Sequence, residues 1–414
     1  MNKHPKTDKL IITTFTTMCM LVLVLHRHRD SVVSDKTKTS STSVVSQVVL
    51  PSLRLAEVEP ELNNASVRFQ TQSADFTIVY TSTDQIFSLR VIGSRLYVGK
   101  NNGVGIYDVS NPGSPLELGE LASSMPVLAI DVKEDVLFAA SVGGELRFVD
   151  ISNEQVPTTI WSGNLGTSYP VSLKAYDHYL ALGDRWFDEL EIPAGLNIID
   201  ITDMQDPVVV STLSSGELDI ADVSVMGGEL VVSMNDAQSG VGTVNIVDVS
   251  DAIHPFFKAS YGKGGAIGGF SVSGGAIYAA SYSPNEGAGT ASLDRVDFTN
   301  ISEPIKAGGY TYPSTESMAA TASVDAKRDN PIVEAVVASG DMVYSVEKHY
   351  IIECMGCHEY WAGVLRKIDF SNPNAPVSLL DGVIGGELFS DMEVSGDYVF
   401  LAAGEGGVHI YRGD

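Results

Sequence analysis

LNIIDITDMQDP (Leu196–Pro207) and VNIVDVSDAIHP (Val244–Pro255) are the same phrase written twice. Each is an alternating apolar run ending in Asp, then an apolar residue, Ser or Thr, and a turn closed by Pro. The phrase recurs as GIYDVSNPGSP from Gly105, LRFVDIS from Leu146, LDRVDFTNISEP from Leu293 and LRKIDFSNPNAP from Leu365. A degenerate copy, VHIYRGD, ends the chain. Short apolar alternation bounded by turn formers is the pattern of a half-buried strand.

A second phrase precedes each copy and reads strand, tight turn, strand. It appears as SLRVIGSRLYVG, AIDVKEDVLFAAS, SLKAYDHYLALG, DVSVMGGELVVS, GFSVSGGAIYAAS, AVVASGDMVYSV and MEVSGDYVFLAAG. The turn pairs, from Gly93-Ser94 to Gly396-Asp397, are mostly residues that tolerate hairpin dihedrals. A further apolar run, such as PLELGEL or PVVVSTL, follows each Pro-containing turn. One unit is therefore four strands, A to D from the inside outward, and repetition at this spacing marks propeller blades. The seventh unit stops after its third strand, whereas DFTIVYTST (Asp75–Thr83) stands upstream as an orphan outer strand. Pairing the two completes the last blade and removes an exposed sheet edge. The expected fold is an all-β, seven-bladed propeller of four-stranded antiparallel blades over residues 75–414.

With LNIIDIT, VNIVDVS and the turn after their Asp in view, the chain resembles the LVIVD-repeat proteins, which are exported bacterial and archaeal β-propellers. The resemblance covers roughly residues 76–414. It implies the fold and an exported setting, and it assigns no activity. Arg295, Arg366 and Lys367 inside two copies depart from the pattern, as do inserts in blades three, five and six. The repeated Asp residues, Asp108, Asp150, Asp200, Asp248, Asp297 and Asp369, read as turn caps that accept backbone N–H groups, with calcium binding as the alternative.

The 414 residues carry 26 Lys+Arg against 52 Asp+Glu, a formal charge of −26. Residues 1–30 hold five of the basic residues and two of the acidic ones, so the rest is more acidic still. Such a body repels nucleic acid and anionic lipid. Residues 1–30 join a Lys-bearing start to the apolar run Leu10–Leu25, the pattern of a cleaved export signal or an uncleaved signal-anchor. Residues 31–74, rich in Ser and Thr, read as a disordered tether. The expected location is extracytoplasmic, with any membrane contact confined to the N-terminal segment.

Short A–B and C–D turns leave the long connections on the opposite, B–C and D–A, face, where binding sites are usually built. Candidate ligand-face residues there are Asp184, Trp186, Asp188, Tyr282, Glu286 and Trp361, able to meet a protein, peptide or glycan. An ordinary solvated loop fits the same residues. Cys354-Met355-Gly356-Cys357-His358 in the blade-six insert matches the attachment sequence of c-type haem. A Cys354–Cys357 disulfide, or free thiols, fits it as well. A metal site would lack a clear fourth ligand. His349 and Met318 are the nearest distal-ligand candidates for a haem. No complete hydrolase, zinc-protease or nucleotide-binding motif is present, so no catalytic residue is assigned and the leading expectation is a non-enzymatic binding scaffold without a cofactor. The alternative is a monohaem electron-transfer protein. An enzyme on this scaffold would gather titratable groups with shifted pKa values around the central channel, and the scaffold reading expects no such cluster.

Overall fold

In a computed structural model, every blade is antiparallel and four-stranded, and its sheet order follows the chain in six blades out of seven. The structure describes residues 76–413 except 83, 168, 186–194, 216–217, 237–238, 263, 283–290, 301–302, 314–330, 354–357 and 385–388; of strand residues 76–80, 350–353, 358–362 and 383 it describes the backbone alone. The export-signal and tether readings for residues 1–74 lie outside the described residues. Blades one to six span residues 86–122, 127–164, 170–214, 218–261, 266–311 and 332–384. The seventh takes three strands from residues 391–413 and its outer strand from Phe76–Thr81. That strand pairs antiparallel with Val408–Gly413, placing Thr77 opposite Arg412 and Thr81 opposite His409. The ring therefore closes as the orphan strand predicts.

The tight A–B turns work through backbone sign. Their first residue has positive φ in every blade, from 43° to 63° at Gly93, Glu134, Asp177, Gly227, Gly274, Gly340 and Gly396. Glycine serves there at little steric cost, while Glu134 and Asp177 carry a Cβ in a region that disfavours it.

The repeated Asp residues cap the C–D turns. Their Oδ1 atoms accept the backbone N–H two residues on: Asp108 from Ser110 at 2.8 Å, Asp150 from Ser152 at 2.8 Å, Asp200 from Thr202 at 2.8 Å and Asp248 from Ser250 at 3.0 Å. Asp297 and Asp369 do the same for Thr299 and Ser371. A second, unforeseen cap follows three residues later, where Asn153, Asp203, Asp251 and Asn372 repeat the bond. Hydrogen bonds to the Ser or Thr two residues on hold the six repeat carboxyls below the usual carboxylate value.

Core formation follows from the radial geometry. Each sheet buries both faces against its neighbours, so the apolar side chains form seven clusters, one at each blade junction. The closing junction packs Ile86, Leu89, Leu96 and Val98 of blade one against Phe400, Ala402, Val408 and Ile410 of blade seven. Outer strands interlock through small residues. A Cβ on Gly119 would collide with the Glu154 carbonyl oxygen of the next blade's turn, and one on Gly308 with that of Pro373.

Blade six differs in length. Its middle strands run Met342–Glu353 and His358–Asp369, whereas the corresponding pair in blade one is Arg95–Lys100 and Gly103–Asp108. The inner strand pairs only as far as Lys348 and the outer strand only as far as Gly363. Beyond those points the two strands pair with each other alone, from His349↔Ala362 to Glu353↔His358. The insert read from sequence as a loop is thus a two-stranded ribbon. Its base carries the departures from the repeat: buried Arg366 is paired with buried Glu347 and with Asp381 at 2.7 Å, and His349 Nε2 lies 3.0 Å from Glu347. Arg366 is tolerated inside the sheet because two carboxylates neutralise it.

Candidate functional site

The two faces of the propeller are built differently. On one, every A–B turn is two residues and the C–D turns 109–115, 151–157, 201–207, 249–255, 298–304 and 370–376 are of equal length. On the other, B–C connections run from Asn101-Asn102 to 185–194, and D–A connections from 215–217 to 312–331. Variation is confined to this second face, where the blade-six ribbon also emerges.

Of the sequence-stated candidates, Trp186, Asp188, Glu286, Cys354 and Cys357 lie outside the described residues, as does Met318. The backbones of His358 and Trp361 lie in the ribbon, with His358 opposite Glu353 and Trp361 opposite Tyr350. Asp184 is buried at the end of its strand, where its Oδ1 accepts the Tyr169 N–H at 2.8 Å. That bond fixes the entry to blade three and turns the carboxylate inward. Tyr282 is half-buried at the end of the blade-five B strand. Burial pushes its phenol up, Glu334 adding to the rise and Arg185 opposing it. Glu334 in turn faces Lys348 at 3.6 Å and accepts the Phe389 N–H, and Arg185 faces Asp219 at 3.5 Å. Blades three to six thus bring a mixed-charge rim around Tyr282 to the loop-rich face. His349, proposed above as a distal ligand, is buried with its Nε2 on Glu347.

The central channel holds what the motifs did not reveal. It is a cavity of about 380 Å³ lined by the inner strands of all seven blades. The register of those strands stacks equivalent residues in layers. In one layer Arg90, on blade one, reaches Asp131 on blade two at 2.9 Å and Glu393 on blade seven. Lys174 on blade three lies 3.4 Å from the same Asp131. In the adjacent layer stand Ser88, Ser172, Asp222 and Asp391. Inner strands present an unpaired edge to the channel, and side chains from the neighbouring blade cover it. Asp131 accepts the Ala175 N–H at 2.9 Å, Ser172 that of Val223 at 3.0 Å and Ser271 that of Ala338 at 3.0 Å.

The electrostatics follow from depth. Burial pushes the Asp391 carboxyl up to about 7, with Glu393 and Asp222 adding to the rise against bonds from the Leu89 and Met392 N–H groups. Burial also raises Asp222, against the Ser172 bond, and raises Glu393 and Glu334 against Arg90 and Lys348. For Arg90 burial works against the charge, but Asp131 and Glu393 outweigh it and the pKa rises. A cluster of shifted titratable groups around the channel, which the scaffold reading did not expect, is therefore present. Its signal was legible in principle: Arg90, Asp131, Lys174 and Glu393 occupy one repeat position inside otherwise apolar alternation. Among the described residues no three metal-ligating side chains converge.

This geometry defines a seven-bladed β-propeller of four-stranded antiparallel blades. The chain carries LVIVD repeats: the LVIVD repeat pattern matches residues 87–122 and 127–162, which are blades one and two. Its solved structural neighbours are distant in sequence and share the fold. The β-propeller domain of Myceliophteria thermophila Cps50 (Swd1) superposes with a TM-score of 0.57 at 12% identity, covering 81% of this chain and 99% of that one. A chain of a mitotic checkpoint complex gives 0.56 at 12% identity, over 86% and 99%. The WD40 β-propeller domain of Doa1 gives 0.56 at 9% identity, over 82% and 98%. No curated protein matches the chain.

Proposed function

We propose that this protein is an extracytoplasmic scaffold that binds a protein or peptide partner through its loop-rich face. The observation that carries the reading is the confinement of all length variation to that face, against the uniform turns of the other. A rigid ring supplies precise placement, and the connections supply specificity. Solution of one similar propeller within a mitotic checkpoint complex supports a protein partner in general. Strong negative charge favours a partner presenting basic groups. Shortening connections 185–194 and 283–291 to two-residue turns should abolish partner binding, while substitutions in the 109–115 turn should not. Equal loss from both faces would refute the reading.

A second reading concerns Cys354 and Cys357. The paired residues Glu353 and His358 flank them at the end of the ribbon, where an exported chain would meet oxidant or haem-attachment enzymes. Engagement of His349 by Glu347 occupies one of the two distal-ligand candidates, which supports the disulfide. Expression with haem-attachment machinery distinguishes the two. A Soret band that survives denaturation supports haem, and a colourless product two hydrogens light supports the disulfide.

A further inference from the structure

Among the described residues, the exposed large apolar side chains gather on the turn face and its rim. Only Met125 and Val241 stand on connections of the loop-rich face. The gathering follows the repeat. In blades one and three to six, the outer-strand residue opposite the capping Asp is apolar: Leu116, Val208, Phe256, Ile305 and Val377. Each is between 53% and 64% exposed. Blade two places Thr158 there, opposite Asp150, and carries Val156, 62% exposed, two residues earlier. Ile253 and Phe257 add to the apolar surface in blade four. Single exposed apolar residues are ordinary, whereas one at matching positions in six successive blades makes a ring at one level of the rim.

Three observations say what such a ring meets. It follows the circumference of the face, so it fits an extended plane better than the compact patch by which a globular partner docks. Beside it stand the repeat carboxylates, which their turn bonds keep ionised at neutral pH. A second copy would bring the same ring of charge and be repelled, as anionic lipid would be. Zwitterionic headgroups instead offer choline or ethanolamine cations to the carboxylates, while the acyl boundary takes the apolar side chains. The upstream chain also arrives here. Blade seven's outer strand begins at Phe76, opposite Gly413, whose N–H bonds the Asp397 oxygen of the A–B turn at 3.2 Å. The sequence that carries the apolar run Leu10–Leu25 therefore enters the ring at its turn-face rim.

We propose that the turn face rests on a zwitterionic lipid surface, with Leu116, Val156, Val208, Phe256, Ile305 and Val377 at the boundary between headgroups and acyl chains. Membrane contact then extends beyond the N-terminal segment expected from sequence, and the loop-rich face is left free for the partner. Lipid contact and partner binding use opposite faces, so either reading can fail alone.

Photo-labelling of the full chain tests it, in phosphatidylcholine vesicles doped with a phosphatidylcholine whose acyl chain bears a diazirine. Mass spectrometry should place adducts on peptides carrying Leu116, Phe256 or Val377, about tenfold or more above those on the peptide carrying Ser239. Leu116→Ser, Phe256→Ser and Val377→Ser together, all at exposed positions, should remove the turn-face adducts and leave any within residues 10–25 unchanged. Exchanging about half of the lipid for phosphatidylglycerol should lower the turn-face yield several-fold. Adducts confined to residues 1–75, equal labelling of both faces, or a yield that rises with phosphatidylglycerol would each overturn the proposal. Lipid-free self-association that the triple variant abolishes would also overturn it, by assigning the ring to a second copy.

Discussion

Leu89, on the innermost strand of blade one, donates its backbone N–H to the Asp391 carboxylate of blade seven, 2.9 Å away and 302 residues along the chain. The bond joins the two ends of the ring at its inner edge, as the pairing of Phe76–Thr81 with Val408–Gly413 joins them at the outer edge. The ring is thus closed at its inner and at its outer edge.

Removing residues 1–84 should open the last blade, whereas removing only residues 1–70 should leave it intact. The larger deletion loses every ladder bond between Phe76–Thr81 and Val408–Gly413, each worth ~0.5–1.5 kcal/mol, and exposes a sheet edge. Thermal melts should therefore place the shorter chain several degrees lower. Equal melting temperatures would show that the outer strand does not hold the ring.

Asp248→Ala should cost about 1 kcal/mol, because Asp248 accepts both the Ser250 N–H at 3.0 Å and its hydroxyl at 2.6 Å. Partner binding and calcium response should not change. Loss of a calcium-dependent gain in stability in this variant would favour the metal reading of the repeat aspartate.

Glu134→Gly should stabilise the fold by about 1 kcal/mol. Glu134 stands at φ 54° where five other blades place glycine, and an L side chain is disfavoured there. Urea midpoints would report the gain. A destabilised variant would mean that the Glu134 side chain contributes more than its backbone strain costs.

Stability should depend on pH through two sets of carboxyls with opposite sign. Asp391, raised by burial from 3.8 to about 7, keeps a proton in the folded state that the unfolded chain has released. Its contribution is complete below its unfolded value and is lost as pH rises through about 7. Asp222, Glu334 and Glu393, also raised, act in the same sense. The six repeat aspartates are lowered, so their contribution holds above 3.8 and is lost as pH falls through their depressed values. Denaturant midpoints between about pH 5 and 8 should fall less steeply for Asp391→Asn than for the parent. Parallel curves would remove Asp391 from the account.

The blades were legible because a repeat states its strands seven times over, and because the lone strand at Phe76–Thr81 had one vacant position to fill. The caps at Asp108 and its equivalents followed from Asp preceding Ser or Thr before a turn. The ribbon of blade six was not legible, since IIECMGCHEYW carries turn-like residues at its centre and no clean alternation on either side. The channel cluster is legible only by aligning the blades, which sets Arg90, Asp131, Lys174 and Glu393 at one repeat position, and not by any motif. Arg90, Asp131, Lys174, Asp222 and Asp391 lie far apart in sequence and meet only when the ring closes, and no motif spacing encodes such a meeting.

The most direct test of the scaffold account is site-specific photo-crosslinking of the full chain in intact source cells. A crosslinking residue would replace Arg185 or Ser239 on the loop-rich face, and Ser114 or Asn374 on the turn face, all of them exposed. The account predicts a discrete crosslinked protein from Arg185 or Ser239 and none from Ser114 or Asn374. Crosslinks from the turn face alone, or from both faces equally, would contradict it.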